Sequence, residues 1–587
     1  MSKANYRQIK ASKPLLVLFP ENTLTLEVVF DKISKDPSLS LVRKRDLQSS
    51  LRVAAAALQL PLAQAVADPE WLRRRLATVA PARLNLAKKT WANILANLKA
   101  ALVLAGVVKH VGRGRHLNGE WGKLWEQLKD PNLKLSLTRF VTFCSREGVC
   151  PSDVSDETVS EFALVLRRSS LRKDPDLALY YLTRCWNKAS ISVSGWPTQL
   201  VTVPKRRIVF KVDDELLPSS FQCDLARYLS VMACANPLAD NAPPRPLSPV
   251  SLAQYRRQIL RFFGELVSCG MVAETIVNLG VMVRPENVEK GLRAMLDRKG
   301  GRTSQTIYGM AYMLKTIAKH YVQLPADDIA KLDVLCRRLK VRQVGMTEKN
   351  RKRLRQFDDE GQAARILNLP AELLAEARQG KRSPKRCAML VEVALAVELL
   401  LMTALRIKNL AELHLDRNIE FSRATRDRVC HLVVASHQVK NGQHLEFELD
   451  VETTALLQMF VEKYRPLLVS TSSRWLFGRR DADQPVSTTV LSQRISKTIR
   501  DRTGLEVNPH LFRSLGGKLY LDRHPGGFEV VRRLLGHTNM STTLKAYTGL
   551  ESTSAAKHFD QTIRSLRDGM ARPRSRRGML HRKESRS

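Results

Sequence analysis

The chain has 587 residues, of which 26% are charged and 44% are hydrophobic, a balance that is ordinary for a soluble globular protein. This length predicts about three to five domains. Lysine and arginine outnumber aspartate and glutamate by 96 to 57, which gives a net charge of +39. Such a charge favours a polyanionic partner, with nucleic acid as the first candidate and a ribosomal or membrane surface as the alternative.

The cysteine pattern and the apolar runs argue against several other classes of protein. Nine cysteines are scattered singly, with no C-x-x-C pair and no histidine cluster at metal-ligand spacing. These features predict reduced, mostly buried thiols in a cytoplasmic protein without a metal site. No secretory signal is predicted at the N-terminus. The most apolar run, from Cys387 to Leu405, contains Glu392 and Glu398, which favours a core helix over a membrane span.

The N-terminal half is predicted to consist of all-α helical units. Helical periodicity predicts a first unit over residues 1–110 and a second over residues 120–235, the latter ending in an extended linker. Five prolines between Pro237 and Pro249 mark the clearest linker of the chain. A third helical unit is predicted over residues 245–345.

Residues 346–383 are predicted to form a basic linker. Nine lysines and arginines lie between Arg337 and Arg355, so this segment could follow the phosphates of DNA. The alternative is a solvated helix end followed by a flexible connection. This linker is expected to lead into the last large domain.

A mixed α/β domain, mostly helical with a small antiparallel sheet, is predicted over residues 384–551. Apolar and β-branched runs at Val429–Ser436 and Leu445–Leu449 flank an Asn-Gly pair, which is a strong hairpin signal. Helices are predicted at Cys387–Leu405, Thr453–Tyr464, Val490–Thr503, Arg513–Asp522 and Phe528–Gly536.

Two short segments follow this domain. Residues 552–570 are predicted to form an amphipathic docking helix whose apolar stripe is made by Phe559, Ile563 and Leu566. Such a narrow stripe needs cover from this domain or from a neighbouring subunit. Residues 571–587 are basic and poor in apolar side chains, which predicts a disordered tail.

Six residue positions of the C-terminal domain occur in an order that suggests one kind of chemistry. They are Arg406 at the end of the apolar helix, Lys440 at the hairpin tip, His510 and Arg513 in a His-x-x-Arg motif, His537 in Leu-Gly-His, and Tyr547 in Thr-Thr-x-x-x-Tyr. Each one alone is more often a structural residue. Together and in this order, they resemble the tyrosine recombinase (phage integrase) family. The resemblance is close over about residues 384–550, whereas the unit at 245–345 is more loosely similar to the helical core-binding domain of that family.

The resemblance implies a role for each of these side chains. Tyr547 would be the nucleophile, His510 the general base, Lys440 the general acid, Arg406 and Arg513 the groups that bind the phosphate in its transition state, and His537 a hydrogen-bond donor to the phosphate. A phenol has a pKa of ~10, so it needs help to lose its proton at neutral pH. The product would be a 3′-phosphotyrosine link, formed without ATP, metal or other cofactor, and no Walker-type glycine loop is found in the sequence.

The resemblance also implies the partners: double-stranded DNA, clamped between the third helical unit and the catalytic domain, and a homotetramer that acts on two duplexes. Integration or excision of a mobile element is the expected role. Two alternatives remain open, a type IB topoisomerase-like enzyme that cleaves and religates one strand, and a non-catalytic DNA-binding accessory protein. The role of residues 1–235 is left open.

Two positions depart from the family pattern. Asn409 stands where the family usually has an acidic residue, and Glu412 one turn later is a possible substitute. Ser514 stands where a second histidine is common. For the general acid, Lys408, Lys497 and Lys518 are rivals of Lys440, and an ion pair between Arg406 and Glu412 is the structural alternative for that arginine.

Overall fold

The computed structural model describes residues 24–108, 117, 119–171, 174–204, 217–234, 246–341, 345–421, 429–470, 472–547 and 552–569. The described residues form two compact units. One unit combines the residues up to Val203 with those from Gly345 onward, and the other lies between Pro204 and Gln343. Most of the predicted proline-rich linker and the whole predicted tail at 571–587 lie outside the described residues.

The first helical group of the larger unit is helical, as the periodicity predicts, and its described residues include four α-helices. They are Leu26–Lys35, Leu41–Ala57, Pro69–Leu76 and Lys88–Leu104. The helix at Pro69 begins where Asp68 accepts a hydrogen bond from the Trp71 backbone at 2.7 Å, a standard N-cap. Leu51 and Leu98 are fully buried in the core between these helices.

The second helical group is built around a cluster of aromatic side chains. Its helices are Gly119–Gln127, Pro131–Glu147, Asp156–Ser169 and Pro175–Ser192. Trp121 and Trp186 are fully buried, with ring centroids 6.2 Å apart. Arg73 of the first group donates to the Arg167 backbone oxygen at 2.8 Å and to the Ser170 backbone oxygen at 2.9 Å. The two helical groups are therefore joined by a buried guanidinium.

The smaller unit begins earlier in the chain than predicted. Its α-helices are Ser219–Ala233, Pro249–Ser268, Leu279–Met282, Pro285–Asp297, Gln305–Thr316 and Ala326–Leu339. The helix Ser219–Ala233 was assigned to the second helical unit from sequence. It instead shares the core of the later helices, where Phe221 contacts Phe263 with ring centroids 4.8 Å apart. The prolines after this helix interrupt the helical pattern, but its apolar face is buried across that interruption.

The C-terminal domain is mostly helical, as predicted, and its long central helix is Pro384–Thr403. The longer helices that follow are Val451–Met459, Thr488–Thr503, Pro509–Arg523, Phe528–Leu534, Met540–Tyr547 and Ser552–Gly569. Short helices at Ile407–Ala411 and Leu415–Asn418 connect the central helix to the sheet. Glu392, on the central helix, is buried and pairs with Arg494 at 2.7 Å, whereas Glu398 is only partly buried.

The segment predicted as a basic linker, residues 346–383, is instead largely helical. Its helices are Glu348–Leu354, Glu360–Leu367 and Leu369–Arg378. Leu354, Ile366 and Leu373 are buried in the same core as the central helix. The prediction of a linker over the whole segment is wrong because its cations lie on the outer faces of helices whose apolar residues are buried.

The small sheet has three antiparallel strands in the order β1-β2-β3. They are β1 (Ile419–Phe421), β2 (Cys430–Val434) and β3 (Leu445–Leu449). The predicted hairpin between β2 and β3 is confirmed, and β1 was not predicted. The tip of this hairpin carries Lys440.

The first helical group contacts the C-terminal domain through polar side chains more than 250 residues apart in sequence. Arg83 donates to the Gly504 backbone oxygen at 2.8 Å and to the Gln356 side chain at 3.1 Å. Lys88 forms an ion pair with Asp501. A side chain at Gly504 would collide with Arg83, and Gly504 also has a φ of +75°, so a glycine suits this position on two counts.

All nine cysteines are free, and the prediction that most are buried is wrong. Cys144, Cys336, Cys387 and Cys430 are buried, whereas Cys223 and Cys234 are exposed. Within the described ranges, no helix combines the length and the apolar character needed to cross a bilayer.

Candidate active site

Two arginines lie close together at the end of the central helix. Ala404 ends this helix in a left-handed conformation, with a φ of +48°, and the chain then turns into Arg406. The buried Arg513 donates from Nη1 to the Ala404 backbone oxygen at 2.8 Å and from Nη2 to the Leu535 backbone oxygen at 2.6 Å. Arg513 therefore joins the turn before Arg406 to the turn before His537.

These guanidiniums lack a carboxylate partner among the residues that the structure describes. Burial lowers the pKa of Arg513 to about 10, and the positive charge of Arg406 contributes to that shift. Burial also lowers the pKa of Arg406. Two guanidiniums that repel each other and are partly removed from water need an anion, and their planar forks match the oxygens of a phosphate. The alternative of an ion pair between Arg406 and Glu412 is not formed; Glu412 lies 3.8 Å from Lys408 instead.

Both candidate histidines, His510 and His537, lie close enough to the two arginines for the positive charges to affect their pKa values. His510 is the second residue of helix Pro509–Arg523, and partial burial lowers its pKa, with Arg513 and Arg406 adding to the effect. Burial lowers the pKa of His537 to about 4, and Arg513, Arg406 and Arg532 also contribute. His537 Nδ1 lies 2.9 Å from Thr543 Oγ1. Both imidazoles are therefore neutral at pH 7 in the DNA-free protein.

Tyr547 ends the helix Met540–Tyr547 and is only 2% exposed. Its hydroxyl donates a hydrogen bond to the Arg513 backbone oxygen at 2.8 Å. Burial raises the pKa of Tyr547, and the nearby Arg513 charge opposes this only in part. Gly517 leaves the space that the ring occupies, because a Cβ there would lie 2.3 Å from Tyr547 Cζ. The phenol is therefore protonated and turned into the protein.

Lys440 lies near this cluster because the next residue of the hairpin turn, Asn441, contacts Arg406. The Lys440 side chain is exposed, while Asn441 accepts a hydrogen bond from Arg406 Nη1 at 3.3 Å. Among the rival lysines, Lys518 is buried between Asp358, at 2.8 Å, and Asp522, at 2.6 Å. Lys518 is therefore engaged in structural ion pairs.

The two departures from the family pattern have ordinary structural contacts. Asn409 is buried and donates to the Gln438 backbone oxygen at 2.9 Å, and Ser514 is partly buried on the helix that carries Arg513. Reasoning from sequence missed three contributors, Asn441, Thr543 and Gly517. Asn441 was interpreted only as a turn residue and Thr543 only as motif context, because their contacts depend on the tertiary fold.

The structure thus brings together Arg406, His510, Arg513, His537 and Tyr547, with Lys440 on the adjoining hairpin. No group of histidine, cysteine, aspartate and glutamate side chains suited to a metal ion occurs in the described part of the chain. The cluster combines a protonated phenol, neutral imidazoles and two guanidiniums that have no carboxylate partner among the described residues. These are groups that can bind a phosphodiester and transfer it to an oxygen nucleophile.

Comparison with known proteins gives one family and several distant structures. Residues 371–553 match the model of the phage integrase family, and no curated protein matches the chain. The crystal structure of XerA recombinase is 16% identical, covers 58% of this chain and 98% of its own, and has a TM-score of 0.24. XerH recombinase bound to a palindromic difH substrate is 13% identical, with coverages of 76% and 98% and a TM-score of 0.32. A Tn1549 transposon integrase in complex with transposon right end DNA is 14% identical, with coverages of 54% and 95% and a TM-score of 0.33.

Proposed function

We propose that this chain is a site-specific DNA recombinase of the phage integrase family, whose model its residues 371–553 match, and that it works through a 3′-phosphotyrosine link. The observation that carries this proposal is the convergence of two neutral imidazoles, a tyrosine hydroxyl and two guanidiniums that pair with no described carboxylate. The mobile-element role expected from sequence remains part of the proposal.

In the proposed cleavage step, Tyr547 attacks the scissile phosphorus. A bond forms between Tyr547 Oη and phosphorus, and the bond from phosphorus to the 5′ oxygen breaks. His510 accepts the phenolic proton, and Lys440 gives a proton to the departing 5′ oxygen. The phosphotyrosine link keeps the energy of the phosphodiester, so a 5′ hydroxyl of another strand can reverse the step without ATP.

The arginines supply the electrostatic part of this step. Negative charge accumulates on the non-bridging oxygens as phosphorus becomes five-coordinate, and preorganised donors stabilise that charge most at this point. Arg513 is already fixed by two backbone hydrogen bonds, so it loses little conformational freedom when the phosphate binds. His537 is the further donor to the phosphate in this proposal.

Tyr547 must move out of its buried position before its hydroxyl can attack a phosphate. Its hydroxyl donates to the Arg513 backbone oxygen, so this donor faces a carbonyl and not an open phosphate site. We therefore propose that DNA binding and assembly release the short helix Met540–Tyr547. The partners in this proposal are duplex DNA and further copies of this chain, up to a tetramer on two duplexes.

A suicide-substrate assay tests the function. The protein is incubated with duplexes that carry a nick next to each candidate cleavage position and that together tile the DNA flanking its own gene, with and without a metal chelator. A covalent protein–DNA adduct on a denaturing gel is expected with the native chain. The adduct should withstand the chelator and should be absent with Tyr547→Phe.

Three outcomes distinguish the alternatives. Adduct formation that persists in Tyr547→Phe would contradict the assignment of the nucleophile. Tight DNA binding without any adduct would favour the accessory-protein interpretation. Cleavage and religation without exchange of strands between duplexes would favour the topoisomerase-like interpretation.

A further inference from the structure

One side chain joins three parts of the candidate active site. Asn441 accepts a hydrogen bond from Arg406 Nη1 at 3.3 Å, and its amide nitrogen donates to the Gly536 backbone oxygen. Gly536 immediately precedes His537. A single carboxamide therefore links the hairpin that carries Lys440 to a phosphate-directed guanidinium and to the turn of the second histidine.

Other carboxamides anchor the chain where it enters the hairpin turn. Asn409 donates to the Gln438 backbone oxygen at 2.9 Å. Asn418 donates to Gln438 Oε1 at 3.0 Å and to the Val433 backbone oxygen at 2.8 Å. The Ala435 backbone also donates to Gln438 Oε1, at 3.1 Å. Asn409 and Asn418 are buried, so leaving their amides unpaired would be costly, and this network fixes the entry to the turn.

The exit of the turn depends on Asn441. Gly442 follows it with a φ of +67°, which suits a tight turn. Lys440 lies between the fixed entry and Asn441, and its own side chain is exposed, with no hydrogen bond or ion pair to any residue in the described ranges. A long, unpartnered lysine side chain has many rotamers, so the backbone on either side determines where its ammonium can reach.

We infer that Asn441 is a positioning residue for the leaving-group step. By holding the hairpin tip against Arg406 and Gly536, it keeps Lys440 beside the phosphate that the arginines bind. This inference rests on the proposed function and adds a residue to it. It gives Asn441 no contact with the reacting atoms; the residue acts through Lys440.

Replacement of the bridging 5′ oxygen by sulfur isolates this step. A thiol ionises with a pKa of about 8.5, against roughly 16 for a water-like hydroxyl, so a thiolate leaves without a general acid. Single-turnover cleavage is measured on nicked duplexes that contain either oxygen or sulfur at that position. On the oxygen substrate we expect Lys440→Ala to lose about 100-fold in rate and Asn441→Ala to lose roughly 10-fold or more.

The sulfur substrate should restore both variants to within about threefold of the native chain, because proton donation is no longer needed. Gln443→Ala, in the same exposed turn, is the matched control and should cleave both substrates at the native rate. If Asn441→Ala melts early, Asn441→Gln serves in its place, since it keeps a neutral carboxamide but displaces it by one methylene from Arg406 and Gly536. Its defect on the oxygen substrate should be smaller and equally restored by sulfur.

Two results would overturn the inference. One is native-rate cleavage of the oxygen substrate by Asn441→Ala. The other is a defect of a folded variant that is equally large on the sulfur substrate, which would mean that Asn441 acts on phosphate binding or on the fold. An absence of cleavage by the native chain on either substrate would instead contradict the proposed function itself, so the two failures are distinguishable.

Discussion

At the scale of single residues, the charges in the site predict a coupling between DNA binding and protonation. Partial burial lowers the pKa values of His510 and His537, and the positive charges of Arg513 and Arg406 add to the effect. A bound phosphate brings negative charge to these imidazoles and should raise both pKa values. The protein should therefore take up protons when it binds DNA near pH 6, and its affinity should increase as the pH falls through that region.

Calorimetric titration at pH 6 in two buffers with different ionisation enthalpies measures this uptake. The native chain should take up protons, with an upper limit of about two per bound scissile site, because two imidazoles change their pKa. His537→Gln should take up fewer protons, and the double variant with His510→Gln should show almost none from this site. Equal uptake by the native chain and the double variant would contradict the prediction.

A second prediction at this scale concerns how tightly the ring of Tyr547 packs against Gly517. Gly517→Ala would bring a Cβ to 2.3 Å from Tyr547 Cζ, so the ring must shift. We expect the free energy of unfolding to fall by about 1–3 kcal/mol, as for other overpacked core positions, when measured by urea denaturation. Gly516→Ala is the matched control, because its Cβ would meet nothing within 4 Å, and it should stabilise the helix by up to about 1 kcal/mol. Similar effects at both positions would show that the ring is not tightly held.

At the scale of elements, the last helix has an apolar stripe that its own chain leaves exposed. Phe559 is 65% exposed and Leu566 is 51% exposed on the helix Ser552–Gly569. Apolar side chains at this spacing favour burial against a partner. This geometry supports the predicted role of the helix as a docking element between copies of the chain, which remains a proposal.

The double variant Phe559→Ser with Leu566→Ser tests that role. Because the stripe would no longer bury apolar area, protein–DNA assemblies larger than one chain per half-site should be lost, as measured by sedimentation velocity. Adduct formation on a nicked substrate should fall as well, since assembly is proposed to help release the helix Met540–Tyr547, whereas binding of one chain to a half-site should stay within a few-fold of the native affinity. Gln561→Ala, an exposed change on the same helix, is the control. Unchanged assembly in the double variant would favour a monomeric strand-cleaving enzyme.

At the scale of the whole molecule, the first helical group and the C-terminal domain belong to one compact unit. Arg83 and Lys88 make polar contacts with the C-terminal domain at Gly504, Gln356 and Asp501. Residues that are distant in sequence therefore contact the helix Thr488–Thr503, and changes in the N-terminal half should alter the stability of the C-terminal domain.

Arg83→Ala should weaken the coupling between the unfolding of the first helical group and that of the C-terminal domain. The substitution removes hydrogen bonds to Gly504 and Gln356. We expect the free energy of unfolding to fall by only about 1 kcal/mol, because the arginine is exposed. Differential scanning calorimetry should show the single transition of the larger unit broaden or divide. Arg74→Ala is the control, since Arg74 pairs with Glu70 on its own helix. An identical thermogram for both variants would contradict a stabilising role for this contact.

The amino-acid sequence by itself determined the features that depend on near neighbours in the chain. Periodic apolar residues predicted the helices, the Asn441-Gly442 pair predicted the hairpin between β2 and β3, and the order of Arg406 through Tyr547 predicted the family. Only the tertiary structure decided the rest: the packing of residues 348–378 into the core of the C-terminal domain, the place of helix Ser219–Ala233 in the later unit, the inward position of Tyr547 and the hydrogen bonds by which Asn441 bridges Arg406 and Gly536. The position of Tyr547 and the contacts of Asn441, for example, depend on hydrogen bonds between residues 34 to 95 positions apart. Local patterns of helix and strand propensity carry no information about such pairs, because burial and hydrogen bonding are set by which elements meet in space.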